Sequence, residues 1–345
     1  MIPSYRIDIF PRLFHFKKPA GTSRGVYTER RSWYVRVASA ACPGREGWGE
    51  CAPLPQLSVD DLPDYEGVLR GICAEVARTG QVDTERWREY PSMLFGLETA
   101  LRHLERGTYA LWDTPFSRGE EGICINGLIW MGDHDAMYRQ IREKLEAGFR
   151  CVKLKIGAIG FEEELDLLRF IRRHFPAREV ELRVDANGAF APAEALDKLK
   201  RLAELDLHSI EQPIRAGQWD EMAGLTSVSP LPIAFDEELI GHCSLEAKRR
   251  LLDALHPQYI VLKPSLHGGF SGCREWIEEA EKRNVGWWIT SALESNVGLN
   301  AIAQWCATWH TRMPQGLGTG MLFTDNVPMP LEIRKDCLWY VADGD

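Results

Sequence analysis

The sequence predicts an α/β protein, built as a (β/α)8-type barrel with an N-terminal α+β capping domain. Beyond residue 122, eight short apolar segments follow one another, and amphipathic stretches with helical spacing separate most of them. Alternation of this kind favours a parallel barrel. The length of 345 residues agrees, because barrels can exceed ~250 residues as one domain. Polar side chains also stand at the carboxyl ends of the predicted strands, where barrels place their active sites.

Residues 1–120 have a different pattern and predict the α+β capping domain. YRIDIF and SWYVRVAS alternate as strands do, and the prolines of WGECAPLPQLS indicate a loop. PSMLFGLETALRHLER has helical spacing, with Pro91 near its start. We expect the last residues, about 326–345, to return to this domain, which assigns residues 121–325 to the barrel.

Eight segments are candidate barrel strands. They are ICINGLIW, CVKLKIG, VELRVDAN, LHSIEQP, PIAFDEEL, YIVLKPS, VGWWITSALES and QGLGTGMLF. Helix candidates such as HDAMYRQIREKLEAG and FEEELDLLRFIRR lie between them. A doubly wound open sheet is the structural alternative, but this part of the sequence has no Gly-rich phosphate-binding turn.

Composition limits the class of partner. A net charge of −9 argues against nucleic acid as the main partner. No run approaches the ~18 apolar residues of a membrane helix, and the N-terminus has no apolar signal-peptide core. The nine cysteines contain no CxxC pair, a pattern typical of reduced thiols in a cytoplasmic protein. We therefore expect a cytoplasmic enzyme with a small-molecule substrate; the sequence indicates no oligomeric state.

Three acids stand at the ends of three consecutive predicted strands. Asp185, Glu211 and Asp236 are 26 and 25 residues apart, about one strand-helix unit each. In a barrel they converge on one point. Three hard oxygen ligands without His or Cys suit Mg²⁺, which binds carboxylates and retains exchangeable waters.

Three lysines accompany these acids. Lys153 and Lys155 lie on the same face of the second predicted strand. Lys263 ends the sixth strand, which lies opposite the second in an eight-stranded barrel. A metal dication and a neighbouring ammonium both lower the pKa of a lysine toward the range of a general base. This combination suits abstraction of a proton next to a carboxylate, with the metal stabilising the enediolate.

These motifs, taken together, resemble a known family. KLK (153–155), DAN (185–187), EQP (211–213), DE (236–237) and KPS (263–265) resemble the enolase superfamily, muconate-lactonizing subgroup. Within it, WGECAPLP (48–55), TSALESNVGLNAIA and GLGTGMLFTDN are most similar to the o-succinylbenzoate synthase family. The resemblance covers essentially the whole chain, and the N-terminal part looks like the superfamily's capping domain.

The resemblance implies a Mg²⁺-dependent dehydratase of menaquinone biosynthesis. It implies Mg²⁺ (with Mn²⁺ as a substitute) on the three acids named above. It implies that Lys155 removes the proton α to the ring carboxylate of 2-succinyl-6-hydroxy-2,4-cyclohexadiene-1-carboxylate. The same lysine then protonates the departing hydroxyl, giving o-succinylbenzoate. Lys153 would keep Lys155 in its useful charge state, and Lys263 would lie over the other face of the ring.

Five further residues are candidates for substrate binding: Arg183, Asn187, Ser291, Ser295 and Gly318. Arg183 shares a strand face with the first acid and could equally be structural. The two serines could bind a substrate carboxylate or cap the helix that starts near Asn296. Gly318 would allow close backbone approach. TSRG (22–25) and APLP (52–55) resemble the two loops that close over the substrate in this family.

Several alternatives stay open at this stage. Racemisation of an N-acylamino acid, such as an N-succinylamino acid, needs a base on each face, which Lys155 and Lys263 could supply. Dipeptide epimerisation loses ground because LGTGM lacks the Asp-x-Asp motif of those enzymes. Muconate cycloisomerisation is a weaker option. A Schiff-base barrel would leave the three acids without a role, and a non-catalytic barrel predicts decay of catalytic positions that are intact here.

Overall fold

The structure is a computed structural model that describes residues 5–22 and 25–341. Its N-terminal part is a three-stranded antiparallel sheet. The strands are β1 (Tyr5–Thr22), β2 (Gly25–Ser39) and β3 (Glu46–Cys51), in that spatial order. Helices α1 (Tyr65–Thr79) and α2 (Pro91–Arg106) cover one face of it. Their buried apolar side chains form a core with Val35 and Val37 of the sheet.

The two glycines of GWGE (47–50) allow β3 to lie directly on α2. A Cβ atom at Gly49 would come within 1.9 Å of the carbonyl oxygen of Gly96, and one at Gly47 within 1.9 Å of that of Ala100. Only glycine permits this approach. The contact fixes Glu50, the next residue, at the edge of the capping domain that faces the barrel.

The second part is a parallel barrel, preceded by the short strand β4 (Ile123–Cys124). In the described part of the chain, seven strands form its sheet in sequence order. They are β5 (Gly127–Ile129), β6 (Cys151–Lys155), β7 (Glu181–Asp185), β8 (Ser209–Glu211), β9 (Ile233–Phe235), β10 (Tyr259–Leu262) and β11 (Gly286–Ile289). This confirms the predicted α/β fold class with an N-terminal antiparallel sheet domain.

The eighth predicted strand, QGLGTGMLF, is reduced to two bridges. Gln315 pairs in parallel with Ile125, and Gly316 with Thr290, so this segment closes the sheet between its two edges. Glycines weaken a strand ladder because they have no side chain to pack. At Gly316 a Cβ would lie 2.2 Å from Oγ1 of Thr290, and the close approach therefore requires glycine.

Helices alternate with the barrel strands, and most bury one apolar face against the sheet, whereas the last of them is buried on all sides. They are α3 (His134–Glu146), α4 (Phe161–His174), α5 (Pro192–Ala203), α6 (Trp219–Val228), α7 (Leu245–Leu255), α8 (Gly269–Glu281) and α9 (Asn296–Cys306). Within the described ranges, no helix combines the length and the apolar composition that crossing a membrane requires.

The C-terminal segment forms a hairpin beside the barrel. Strands β12 (Leu331–Arg334) and β13 (Cys337–Tyr340) are antiparallel, and β13 pairs with β4. Leu338 and Tyr340 pack into the barrel core. The assignment of residues 326–345 to the capping domain, with its boundaries near 120 and 325, stays a prediction.

Candidate active site

A cavity of about 100 Å³ lies at the carboxyl ends of the barrel strands. The capping domain covers it with Tyr27, Leu54 and Leu57. The barrel lines it with the predicted lysines and two of the three acids, and with other residues from the strand ends. These barrel residues include Lys153, Lys155, Asp185, Asn187, Glu211, Glu237, Lys263, Trp288, Ser291 and Gly318. The cavity therefore brings together chemistry that the sequence distributes over more than a hundred residues.

Strand register explains how the acids converge. Lys155 is level with Asp185, and Asp185 is level with Glu211, in neighbouring parallel strands. Asp236 directly follows β9, the next strand. All three carboxylates are buried, at 1–2% exposure. Because burial of several like charges is costly, these acids need cations close by.

Lysine ammonium groups supply those cations. Nζ of Lys153 lies 2.5 Å from Oε2 of Glu211 and 3.0 Å from Oδ2 of Asp185. Lys263 pairs with Asp236. Burial alone would lower the pKa of Lys153, but Asp185 and Glu211 outweigh it and raise the pKa above that of an ordinary lysine. Lys153 is thus held in its charged form.

The pKa values of Asp185 and Glu211 shift in opposite directions. Burial works to raise the pKa of Asp185, but Lys153 and Lys155 outweigh it, so the pKa is low. The pKa of Glu211 is raised instead, by burial and by the neighbouring charge of Asp185. One proton is therefore retained more easily on Glu211 than on Asp185.

Lys155 is held by a different partner. Its Nζ lies 2.8 Å from Oδ1 of Asn187 and 3.2 Å from Oδ2 of Asp185. Asn187 has a left-handed backbone, φ 43°, which asparagine tolerates better than most residues. Its Nδ2 donates to Oε1 of Glu237 at 2.9 Å. The amide is thereby oriented with its oxygen toward the lysine.

Glu237 is a site residue to which the sequence assigned no role. It lines the cavity, and burial together with the charges of Asp236 and Asp185 raises its pKa to about 7. Its Oε2 has no hydrogen-bond partner among the described residues. The adjacent DE pair in the sequence was the only available signal.

The three acids suit a hard cation in chemistry, although lysines now occupy part of their arrangement. Within residues 5–22 and 25–341, no three His, Cys, Asp or Glu side chains are arranged to hold a metal as they stand. The lysines explain this, because Lys153 lies between two of the acids and Lys263 pairs with the third. Yet Oε1 of Glu211 and Oδ1 of Asp236 are buried and lack a partner in the described structure. Unpartnered carboxylate oxygens fit Mg²⁺ in chemistry.

Arg183 lies inside the barrel, two residues before the end of β7. Its Nε donates to Glu181 at 2.7 Å and its Nη1 to the carbonyl of Pro314 at 3.0 Å. The guanidinium also stacks 4.4 Å from the ring centre of Trp288, which lines the cavity. Of its two predicted roles, these contacts favour the structural one.

The remaining predicted residues separate into two groups. Ser291 and Gly318 line the cavity, and the hydroxyl of Ser291 is hydrogen-bonded to that of Thr319 at 2.5 Å. Ser295 instead caps α9, accepting from the N–H of Val297 at 3.3 Å. Its hydroxyl donates to Glu50 at 2.5 Å.

The two predicted capping loops are described in part. Leu54, of the APLP segment, lines the cavity as predicted for a covering loop. In TSRG, residues 23 and 24 lie outside the described residues. The sequence did not identify Tyr27 and Trp130 as site residues, although both line the cavity. Their aromatic side chains are evident from the sequence, but it does not show that they lie in the cavity.

Comparison with known proteins gives consistent results. Residues 136–340 match the model of the family described as enolase C-terminal domain-like, and residues 22–104 match the MenC N-terminal domain. The o-succinylbenzoate synthase of Desulfotalea psychrophila is 48% identical over 92% of this chain and 94% of that protein. The crystal structure of MenC from the same organism superimposes with a TM-score of 0.82 and 42% identity, covering 97% of this chain and 99% of that one.

A more distant structure agrees in fold alone. The dipeptide epimerase of Cytophaga hutchinsonii, complexed with Mg and the dipeptide D-Ala-L-Val, has a TM-score of 0.81 at 19% identity. The match covers 98% of this chain and 93% of that one. The fold is therefore shared with enzymes of different substrates.

Proposed function

This chain belongs to the o-succinylbenzoate synthases of the enolase superfamily, and on that premise we propose that it dehydrates 2-succinyl-6-hydroxy-2,4-cyclohexadiene-1-carboxylate to o-succinylbenzoate in menaquinone biosynthesis. The observation that carries the proposal is the placement of Lys155. It lines the cavity that the capping domain covers, beside three buried acids, and Asn187 orients it. A lysine so placed can exchange a proton with bound substrate.

In the proposed reaction, neutral Lys155 takes the proton from the ring carbon that bears the carboxylate. The electron pair moves toward the carboxylate, and an enediolate forms. The same Nζ, now an ammonium, then gives its proton to the departing hydroxyl. The C–O bond breaks, water leaves, and the ring becomes aromatic. One residue can serve both steps because the two groups leave from the same face.

Asp185, Glu211 and Asp236 would hold Mg²⁺ in this proposal. When bound, the dication would stabilise the negative charge that develops on the substrate carboxylate. Oε1 of Glu211 and Oδ1 of Asp236, which have no partner in the described structure, are the oxygens that would be available to it. Lys153 then remains a nearby ammonium, which disfavours a second charge on Lys155 and keeps that lysine able to accept a proton.

Lys263 has a different role from Lys155 in the proposed reaction. It lines the same cavity from β10, four strands around the barrel from β6. A cation at this position can stabilise the anionic intermediate from the other face of the ring. In a syn elimination Lys155 makes both proton transfers, so Lys263 makes none.

The same placement supports one alternative. Two lysines lining one cavity could act as a pair of bases, so racemisation of an N-succinylamino acid is the second candidate. Epimerisation of dipeptides has less support, because the residues at the closure of the barrel, Gly318 to Gly320, bring no carboxylate to bind an amino group.

A direct assay tests the proposal. Purified enzyme with Mg²⁺ is given the cyclohexadiene substrate and, separately, N-succinylamino acids, and kcat/KM is measured for each. We expect the dehydration to be faster by at least roughly tenfold, since differential transition-state binding sets this ratio. Faster racemisation would replace the proposed function by the alternative. Trapping of a substrate adduct by borohydride would support a Schiff-base mechanism instead.

A further inference from the structure

A second cavity adjoins the proposed reaction cavity. Its volume is about 480 Å³. The two cavities share a wall made of Asn126, Leu128, Trp130, Gly318 and Thr319. The wall comes from both ends of the barrel sheet, where the closing segment meets the start of β5. A ligand in the first cavity can therefore extend a side chain toward the second.

The second cavity is cationic in an otherwise acidic protein. Lys17 and Lys18 of β1 line it, with Arg139 and Lys144 of α3, and among the described lining residues Glu143 is the single acid. The chain as a whole carries a net charge of −9. Concentration of positive charge in a concave site of such a protein attracts anions.

Three of these cations have no ion-pair partner among the described residues. In the part of the chain that the structure describes, no ion pair within 4 Å involves Lys17, Lys18 or Arg139. By contrast Arg142, three residues further along α3, pairs with Glu146 at 2.9 Å. Lys144 is also different, since its Nζ packs 4.9 Å from the ring centre of Phe149. Lys17, Lys18 and Arg139 are thus free to bind a ligand.

The two elements that carry these cations are anchored to the rim of the cavity. The N–H of Lys17 donates to the carbonyl of Leu322 at 2.8 Å, and Phe16 pairs with Phe323. On the other side, Gln140 of α3 accepts from the N–H of Trp130 at 2.9 Å and donates to its carbonyl at 3.2 Å. Trp130 belongs to the shared wall, so the positions of the cations and of the reaction cavity are linked.

The chemistry of the proposed substrate fits this arrangement. Substrate and product each carry two carboxylates, one on the ring and one at the end of the succinyl side chain. The acids and lysines of the reaction cavity account for the ring carboxylate only. The second carboxylate needs its own cations, because leaving a charge without compensation in a partly closed site is costly.

We propose that the second cavity binds the succinyl carboxylate through Lys17, Lys18 and Arg139. This inference rests on the proposed function and adds the residues that select for the side chain. The capping strand β1 thereby takes part in substrate choice through its charge. Removal of these cations should weaken binding of the side-chain carboxylate.

Binding of two matched ligands tests the inference. Calorimetric titration of the full chain compares o-succinylbenzoate with 2-butyrylbenzoate, in which a methyl group replaces the tail carboxylate. We expect wild-type protein to prefer o-succinylbenzoate by roughly tenfold. Each of Lys17→Met, Lys18→Met and Arg139→Met should reduce this preference about two- to threefold. The triple variant should bind both ligands almost equally, and Arg142→Met on the same helix is the matched control.

The outcomes separate the two proposals. The assignment of the succinyl carboxylate to the second cavity is wrong if the triple variant and the three single variants all keep the wild-type preference. It is also wrong if the wild-type protein has no preference. In both cases the proposed dehydration stands. If wild-type protein neither binds o-succinylbenzoate nor turns over the cyclohexadiene, the proposed function is contradicted and the tail assignment fails with it. Loss of affinity for both ligands in equal measure would also overturn the assignment, because a tail site acts on one ligand only.

Discussion

Glu50 of the capping sheet accepts hydrogen bonds from both the backbone N–H and the hydroxyl of Ser295, at 3.0 and 2.5 Å. The same carboxylate also accepts from the N–H of Gly298 and from the hydroxyl of Ser32. It is fully buried, and its charge lies at the positive end of α9. One side chain thus connects the two parts of the molecule. It also fixes the loop before α9, in which Ser291 lines the cavity.

Loss of this carboxylate should weaken the whole fold. Glu50→Ala leaves several buried donors without a partner, and each costs roughly 1–3 kcal/mol. We expect the free energy of unfolding in urea to fall by about 3 kcal/mol, and by less for Glu50→Gln, which keeps one acceptor. Glu46→Gln, at the exposed start of the same strand, is the control. An unchanged free energy for Glu50→Ala would contradict the structural role.

The pH dependence of stability should contain a contribution from Asp60. Burial raises the pKa of this carboxyl to about 6, despite hydrogen bonds from Ser92. The folded state therefore holds a proton that the unfolded state has lost between pH ~4 and ~6. The contribution of Asp60 to the free energy of unfolding is therefore fully present below pH ~4, and it is lost as the pH rises through this window.

A matched comparison isolates this contribution. Relative to Asp60→Asn, the wild type should lose about 2 kcal/mol of unfolding free energy between pH 4 and pH 7. Asp61→Asn, at an exposed neighbour, serves as the control. Urea titrations at several pH values make the measurement. A constant difference between wild type and Asp60→Asn would show that the pKa of Asp60 is not raised.

Asn187 should act on catalysis through Lys155. Asn187→Gly removes the amide that contacts Nζ while retaining a residue suited to the left-handed backbone. We expect kcat to fall about 10- to 100-fold, because orientation of a general base contributes on this scale. KM should change less. Asn284→Gly is the control, since Asn284 is also left-handed (φ 57°) and lies outside the site. Equal losses in both variants would indicate a backbone effect only.

Metal removal should abolish activity reversibly. EDTA treatment should reduce turnover to background, and added Mg²⁺ should restore it, with Mn²⁺ as a substitute. Glu211→Gln should weaken Mg²⁺ binding in a calorimetric titration by at least roughly tenfold, whereas the exposed Glu246→Gln should not. Full activity in EDTA would refute the assignment of Asp185, Glu211 and Asp236 as ligands.

The barrel and the positions of the acids follow from local pattern. Spacings of 26 and 25 residues between Asp185, Glu211 and Asp236 match one strand-helix unit, and parallel strands end at the same edge. The fold class could therefore be predicted. The eighth strand could not be placed as accurately, because Gly316 and its neighbours make bridges where a ladder was expected.

Contacts between distant segments could not be predicted. Glu50 meets Ser295 across 245 positions of the chain, and nothing near either residue indicates its partner. For this reason the sequence left two roles open for Ser295, substrate binding and helix capping, and in the structure Ser295 caps α9. Glu237 was named beside Asp236 without a role, since its raised pKa depends on burial that only the folded chain creates.

The most direct test of the account is the activity of Lys155→Ala. We expect dehydration to fall by at least ~10³-fold, because the variant lacks the group proposed to move the proton in both steps. Its melting temperature and Mg²⁺ affinity should remain close to wild type, and Lys200→Ala, at an exposed position of α5, should retain full activity. Substantial dehydration by a folded, Mg²⁺-binding Lys155→Ala protein would contradict the assignment of Lys155 as the acid/base of the reaction.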